Sequence, residues 1–123
     1  LCRGEMTQTR ILFIILSGPS DFEKARQGLR IARNIAKEKI ATEVKLLFVG
    51  PGTTLLDPDN QHYDIVKHYA TELNQAGVRC TVCAGNLRVY KLEEKIDKNL
   101  FIADDSTAVV AEAALNGFTI LTF

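Results

Sequence analysis

The 123-residue sequence contains no tryptophan, one methionine, two histidines, three prolines and three cysteines. Its 15 Lys+Arg balance 15 Asp+Glu, so there is no excess charge of either sign. Without a basic surplus, a general nucleic-acid-binding role is not expected. Without an apolar run near the roughly 18 residues that span a bilayer, no membrane role is expected either. Cys2, Cys80 and Cys83 are too few and too unevenly spaced for a secreted disulfide framework. The N-terminus lacks the basic segment, apolar stretch and cleavage site of a signal peptide, so the expected location is cytoplasmic. Phosphate-loop and dinucleotide fingerprints are missing. His62 and His68 are spaced so that they do not share a helix face, and no cofactor or metal is expected.

At 46% hydrophobic and 24% charged residues, the chain reads as an ordinary globular domain. A domain of this size buries roughly two-thirds of its unfolded surface and folds without a disulfide or metal. The lone Met6 makes residues 1–5 read as an expression remnant or upstream read-through, leaving Cys2 without a role. Residues 1–8 are therefore expected to form a disordered or expression-derived N-terminus ahead of a single domain over residues 9–123.

The unbroken apolar run of residues 11–16 (ILFIIL) predicts a strand covered on both faces. After the break at Ser17-Gly18-Pro19-Ser20, Ser20 and Glu23 form the pattern of a capping box. A helix follows to about Lys39, with Phe22, Ala25, Leu29, Ala32 and Ile35 as its apolar stripe. Arg26, Arg30, Arg33 and Lys37 recur on another face, which reads as a solvated face rather than a dock for an acidic partner. Residues 44–49 predict a second strand ended by Gly50-Pro51-Gly52. Ile65, Val66, Tyr69, Ala70 and Leu73 mark a second helix stopped by Gly77. Residues 78–83 predict a third strand. Asn86 is expected to cap a short helix running towards Ile96, and residues 100–103 predict a brief strand. Asp104-Asp105-Ser106 is expected to cap a helix over residues 107–116, stopped by Gly117, and residues 118–123 (FTILTF) predict a last strand.

This alternation predicts an α/β fold: a three-layer, Rossmann-like domain with a mainly parallel sheet of four to five strands. In the helix over residues 107–116, Glu112 is the only polar residue between Ala108 and Leu115, so burial on more than one side is expected, with a subunit interface covering the second.

In open parallel sheets, ligands bind beyond the carboxyl ends of the strands. Ser17, Gly18, Pro19 and Ser20 follow the first strand, Gly50, Pro51 and Gly52 the second, and Cys83 ends the third with Asn86 shortly after. Free N–H groups at helix starts favour anions there and would raise the thiolate fraction of Cys83. Cys80 and Cys83 form a C-x-x-C, but on a strand their Cα atoms stand on the order of 10 Å apart, beyond disulfide reach, with side chains on opposite faces. Cys80 is read as a core thiol.

Several pieces taken together resemble the DsrE/DsrF-like family. They are the apolar first strand leading into Ser17-Gly18-Pro19-Ser20-Asp21, and Phe48-Val49-Gly50-Pro51-Gly52 with Leu55-Leu56. Then come Ala76-Gly77-Val78 before a strand ending in Cys83, Asn86-Leu87 and Leu92, and the close from Ala114 to Phe123. The resemblance spans residues 9–123. It implies a Rossmann-like sheet and a homo-oligomer, trimer or hexamer. It also implies that Cys83 matches the cysteine on which sulfur-relay members carry a persulfide, received from a donor protein and passed to an acceptor. The loops 17–20 and 50–52 and Asn86 would then shape the pocket and bind the anionic sulfur. The expected function is thus a sulfur carrier or sulfurtransferase-like protein. The alternatives from other classes are a non-catalytic module binding a small ligand at the strand ends, and a structural subunit of a homo-oligomer.

Overall fold

The structure, a computed structural model, describes residues 8–123. The expectations for residues 1–7, Cys2 included, lie outside the described residues. Five strands form one sheet: β1 (Arg10–Ile15), β2 (Glu43–Phe48), β3 (Cys80–Cys83), β4 (Phe101–Asp104) and β5 (Thr119–Thr122). Their order is β4-β3-β2-β1-β5, and every pairing is parallel. Four helices connect them: α1 (Phe22–Lys37), α2 (Tyr63–Gln75), α3 (Ala84–Val89) and α4 (Ser106–Leu115). The three-layer α/β reading holds, with the sheet at the upper count expected and parallel throughout.

The register separates the two faces. Phe13, Ile15, Leu46, Phe48, Cys80, Val82 and Phe101 turn to one side, where Ala25, Leu29 and Ala32 of α1 and Val66, Ala70 and Leu73 of α2 complete the larger core. Leu12 and Leu47 turn to the other side and meet Ala113 of α4 and Phe118. Removing so many large apolar side chains from water, at about 1.5–3 kcal/mol each, is what holds α1 and α2 on the sheet.

The connection from β4 to α4 to β5 runs from one edge of the sheet to the other, so α4 lies on its face without a helical neighbour. Only Ala113 of α4 is fully buried, and Leu115 is 88% exposed. One chain therefore covers α4 on its sheet side only. Its apolar outer stripe, Ala108, Ala111 and Leu115, faces outward.

Local chemistry corrects three expectations. The capping box at Ser20 and Glu23 does not form. Pro19–Asp21 is a short 3-10 helix, Asp21 stands at the cap of α1 without a side-chain hydrogen bond, and Glu23 instead binds Arg26 and Gln27 one turn on. The basic stripe of α1 is not simply solvated. Arg33 and Lys37 pair with Glu72 of α2, and the Arg33 guanidinium lies 5.0 Å over the Tyr69 ring. The Arg33 hydrogen bond, joined by Lys37, holds the Glu72 carboxyl below the usual carboxylate range against the opposing effect of burial. Finally, α3 ends at Val89, short of Ile96, because Lys91 enters the left-handed region at φ 57° and the chain turns. Leu92 and Ile96 still reach the larger core from the turn that follows.

Candidate functional site

Cys83 occupies the carboxyl end of β3, and the strand passes into α3 with no intervening loop. It pairs in register with Asp104, so its side chain turns to the same sheet face as Thr81, the face that carries α4. Cys80, an odd number of residues earlier, turns into the larger core and is fully buried. Both cysteines are free thiols.

The position makes Cys83 itself the N-cap of α3. Its backbone is extended (φ −62°, ψ 116°), and its sulfur accepts from the Asn86 N–H at 3.4 Å. This is the arrangement in which a serine or aspartate usually satisfies a free helix N–H. The expected cap, Asn86, does something else. Its side-chain Oδ1 accepts from the Gly50 N–H at 2.7 Å, tying the loop after β2 to α3 while its own N–H points at the sulfur.

A second helix reaches the same atom. Asp105 caps α4 by accepting from the N–H groups of Thr107 and Ala108. That leaves the Ser106 hydroxyl free, and it donates to the Cys83 sulfur at 3.2 Å. Burial on its own would push the Cys83 thiol up. The hydrogen bonds outweigh it: first the Ser106 hydroxyl, then the backbone N–H groups of Asn86, Gly85 and Ser106, and together they leave the thiol below its ordinary value. The Cys80 sulfur has the Asn74 side-chain amide as a donor at 3.8 Å, and burial pushes the thiol up to about 12.

Ser106 is the site residue that the sequence reading did not single out. Asp104-Asp105-Ser106 was legible as a helix cap, and Asp105 is that cap. The remaining signal was topological: neighbouring parallel strands that each run straight into a helix bring two helix starts side by side.

The glycine-proline loops are placed at the strand ends, as expected for residues 17–20 and 50–52, but several of their donors are already in use. The Gly50 N–H is held by Asn86, and the Gly52 N–H donates to the carbonyl oxygens of Leu16 at 2.9 Å and Val49 at 3.1 Å. The Ser17 N–H donates to the Phe123 carbonyl at 3.1 Å, and the Gly18 carbonyl accepts from the Asp21 N–H, with Pro19 and Ser20 between them in the 3-10 helix. Pro51 carries its carbonyl to the Thr54 hydroxyl at 2.7 Å. Among the described hydrogen bonds, Asn86 is the one member of this set that also reaches Cys83. The two loops pack against each other, so that a Cβ on Gly18 would stand only 2.6 Å from the Pro51 carbonyl oxygen, and the Gly50 N–H bond to Asn86 ties them to the start of α3.

Beside Ser106, an open concavity of about 440 Å³ lies between α4 and the sheet, lined by Ile14, Val49, Ser106, Thr107, Val110 and Ala111. Its lining has two hydroxyls and no charged side chain. A half-buried thiol held by hydroxyl and N–H donors, one of which, Ser106, also lines the recess, is equipped for nucleophilic attack. No acid–base pair for hydrolytic chemistry accompanies it among the described residues. Nor does any helix among them have the length and apolarity to cross a membrane.

No curated protein matches the chain. Among solved structures, the ychN protein from E. coli superposes with a TM-score of 0.78 at 15% identity, over 95% of this chain and 100% of its own. A conserved protein of unknown function from Bacteroides thetaiotaomicron, BT1422, gives 0.73 at 18% identity over 91% and 94%. A protein of unknown function from Methanobacterium thermoautotrophicum, MTH1491, gives 0.72 at 14% identity over 94% and 100%. At these identities the likeness is one of fold. The sequence itself matches the model of the DsrE/DsrF-like family over residues 9–123, and the chain belongs to that family.

Proposed function

We propose that the protein is a cytoplasmic, sulfurtransferase-like sulfur carrier that holds a persulfide on Cys83. The observation that carries this reading is the convergence on one half-buried thiol of donors from α3 and α4, which together favour its charged form. Family membership supports a sulfur-relay type of activity. The Cys83 thiolate attacks the outer sulfur of a donor R–S–SH. A sulfur–sulfur bond forms at Cys83, the donor's own bond breaks, and R–S⁻ departs with the electron pair. Delivery to an acceptor thiolate reverses the roles. The reducing cytoplasm suits this chemistry because it keeps the resting thiol available.

The test is intact-mass measurement after incubation with polysulfide, comparing wild type with Cys83→Ser. A reductant-sensitive gain of roughly 32 Da per added sulfur that is absent from the variant is the expected result. No gain, or an equal gain in Cys83→Ser, overturns the reading.

The same reading includes a homo-oligomer, of the trimeric or hexameric kind found in the family, and a protein donor or acceptor of sulfur. Support for self-association comes from the outward stripe of α4, where Leu115 is 88% exposed and Ala108 and Ala111 continue an apolar surface. Leu115→Glu is expected to shift the sedimentation mass of the wild-type assembly towards 13.6 kDa, the mass of one chain. An unchanged mass would move the interface elsewhere.

A further inference from the structure

We propose that Ser106 is a second catalytic residue of this site: its hydroxyl donates to the Cys83 sulfur whenever that sulfur carries negative charge. The chemistry it serves rests on the sulfur-carrier reading, but the hydrogen bond and its test do not need sulfur loading.

The geometry carries the inference. The Ser106 hydroxyl stands 3.2 Å from the sulfur, closer than the Asn86 N–H at 3.4 Å. A serine in the first turn of a helix commonly spends its hydroxyl on the helix's own N–H groups. Here Asp105 takes that task, with its carboxylate 3.0 Å from the Thr107 N–H and 3.4 Å from the Ala108 N–H. Ser106 is thereby released to point across to the neighbouring strand. It is half-buried and lines an open recess shared with Ile14, Val49, Val110 and Ala111.

The bond discriminates between states. A neutral thiol is a weak acceptor, whereas an anionic sulfur forms a charge-assisted hydrogen bond of roughly twice the strength. Two steps of sulfur transfer place charge on this atom. In loading, the thiolate is the nucleophile. In delivery, an acceptor thiolate R′–S⁻ attacks the outer sulfur of Cys83–S–SH. The new bond gives R′–S–SH, and the broken bond returns its electron pair to the Cys83 sulfur, which leaves as thiolate. One hydroxyl, already oriented, stabilises the start of the first step and the end of the second. It needs no oxidant or reductant, and it works as a preorganised dipole aimed where charge develops.

Among the described hydrogen bonds, no cationic side chain donates to the sulfur. The charged groups around the sulfur are Asp104, its register partner on β4, Asp105 at the start of α4, and Arg88 on α3. The Asp104 and Asp105 carboxylates oppose a thiolate, and each is turned to a backbone N–H. Arg88 is exposed and makes no hydrogen bond to the sulfur among those described, although its Nη2 and the Cys83 sulfur each lie 3.9 Å from where a Gly85 Cβ would stand. The loops after β1 and β2 contribute no ionisable side chain before Asp21 and Asp57.

The experiment is the pH profile of Cys83 alkylation by iodoacetamide, read by peptide mapping so that Cys2 and Cys80 are scored separately, in wild type, Ser106→Ala and Ser106→Thr. Ser106→Ala is expected to move the midpoint to higher pH and to slow alkylation near neutral pH by about fivefold, with the same rate on the high-pH plateau. Ser106→Thr, which keeps the hydroxyl, is expected to follow wild type. If the Ser106→Ala profile overlays wild type, or only its plateau falls, the inference is overturned. If Ser106→Ala proves unstable, a Ser106→Thr midpoint displaced like that of a hydroxyl-free site overturns it equally. Sulfur loading of wild type is scored on its own. A wild type that fails to load overturns the carrier reading without touching the midpoint result.

Discussion

In the native protein near neutral pH, Cys83 is expected to be alkylated at least about tenfold faster than Cys80, although the two share one four-residue strand. The thiolate is the reactive species, so the ratio begins with protonation. Burial pushes Cys80 up to about 12, while the hydrogen bonds to its sulfur hold Cys83 below the ordinary thiol value. Access widens the gap. Cys80 is 0% exposed among Leu46, Phe101 and the other side chains of the larger core, whereas Cys83 is half-buried and open to the α4 face. The measurement is timed labelling followed by peptide mapping, with a denatured control in which the two rates converge. Comparable native rates would mean that the strand parity separating the two thiols is wrong. The same parity explains why this C-x-x-C is no redox pair. A thioredoxin-type motif brings its sulfurs together at a helix start, and here the alternation of an extended strand holds them on opposite sides of the sheet.

Much of this arrangement can be read from local pattern. The run Ile11 to Leu16 lacks alternation because β1 is interior, with α1 packed on one side and α4 on the other, so both faces select apolar residues. Gly77 and Gly117 stop helices where positive φ is required, and Asp105 caps α4 as its type suggests. What the local pattern leaves open is whatever depends on strand order. An apolar ten-residue helix suggests burial on more than one side, with a subunit interface over the second, but not which side the chain itself covers. The β4-to-β5 crossover carries α4 alone over the sheet, and nothing local to residues 106–115 encodes which strands lie at the edges. Asn86 reads as a cap because asparagine caps helices. It loses that place because β3 runs directly into α3, so the cap position falls on Cys83 and the asparagine side chain is taken by Gly50 from a distant loop. Ser106 escapes notice for the same reason. Its partner lies 23 residues away on the adjacent strand, beyond any spacing rule for a single element.

Gly52→Ala is expected to destabilise the fold by about 2–4 kcal/mol and to slow Cys83 alkylation as well, though residue 52 makes no contact with the sulfur among the described hydrogen bonds. Gly52 is buried where the loop after β2 crosses the end of β1. A Cβ there would stand 2.1 Å from the Ile15 carbonyl oxygen and 2.9 Å from its carbon. These are backbone atoms of β1, an interior strand, so no side-chain rotation relieves the overlap. Separating them strains the Gly52 N–H bond to the Leu16 carbonyl and the Val49 N–H bond to the Ile15 carbonyl, and it displaces Leu55 and Leu56, both fully buried. Two weakened buried hydrogen bonds at about 1 kcal/mol each, with loosened packing, account for the magnitude. The effect on the site travels by a short route. Movement of the loop pulls Gly50, the Gly50 N–H holds the Asn86 side chain, and the Asn86 N–H donates to Cys83. Gly77→Ala is the control. A Cβ there meets nothing within 4 Å and bears only the strain of φ 88°, so about 1 kcal/mol is expected, with unchanged Cys83 reactivity. Chemical denaturation of both variants, paired with their alkylation rates, separates the two mechanisms. A Gly52→Ala protein as stable as wild type would mean that the loop does not press on β1, and the route from the loop through Gly50 and Asn86 to the sulfur would go with it.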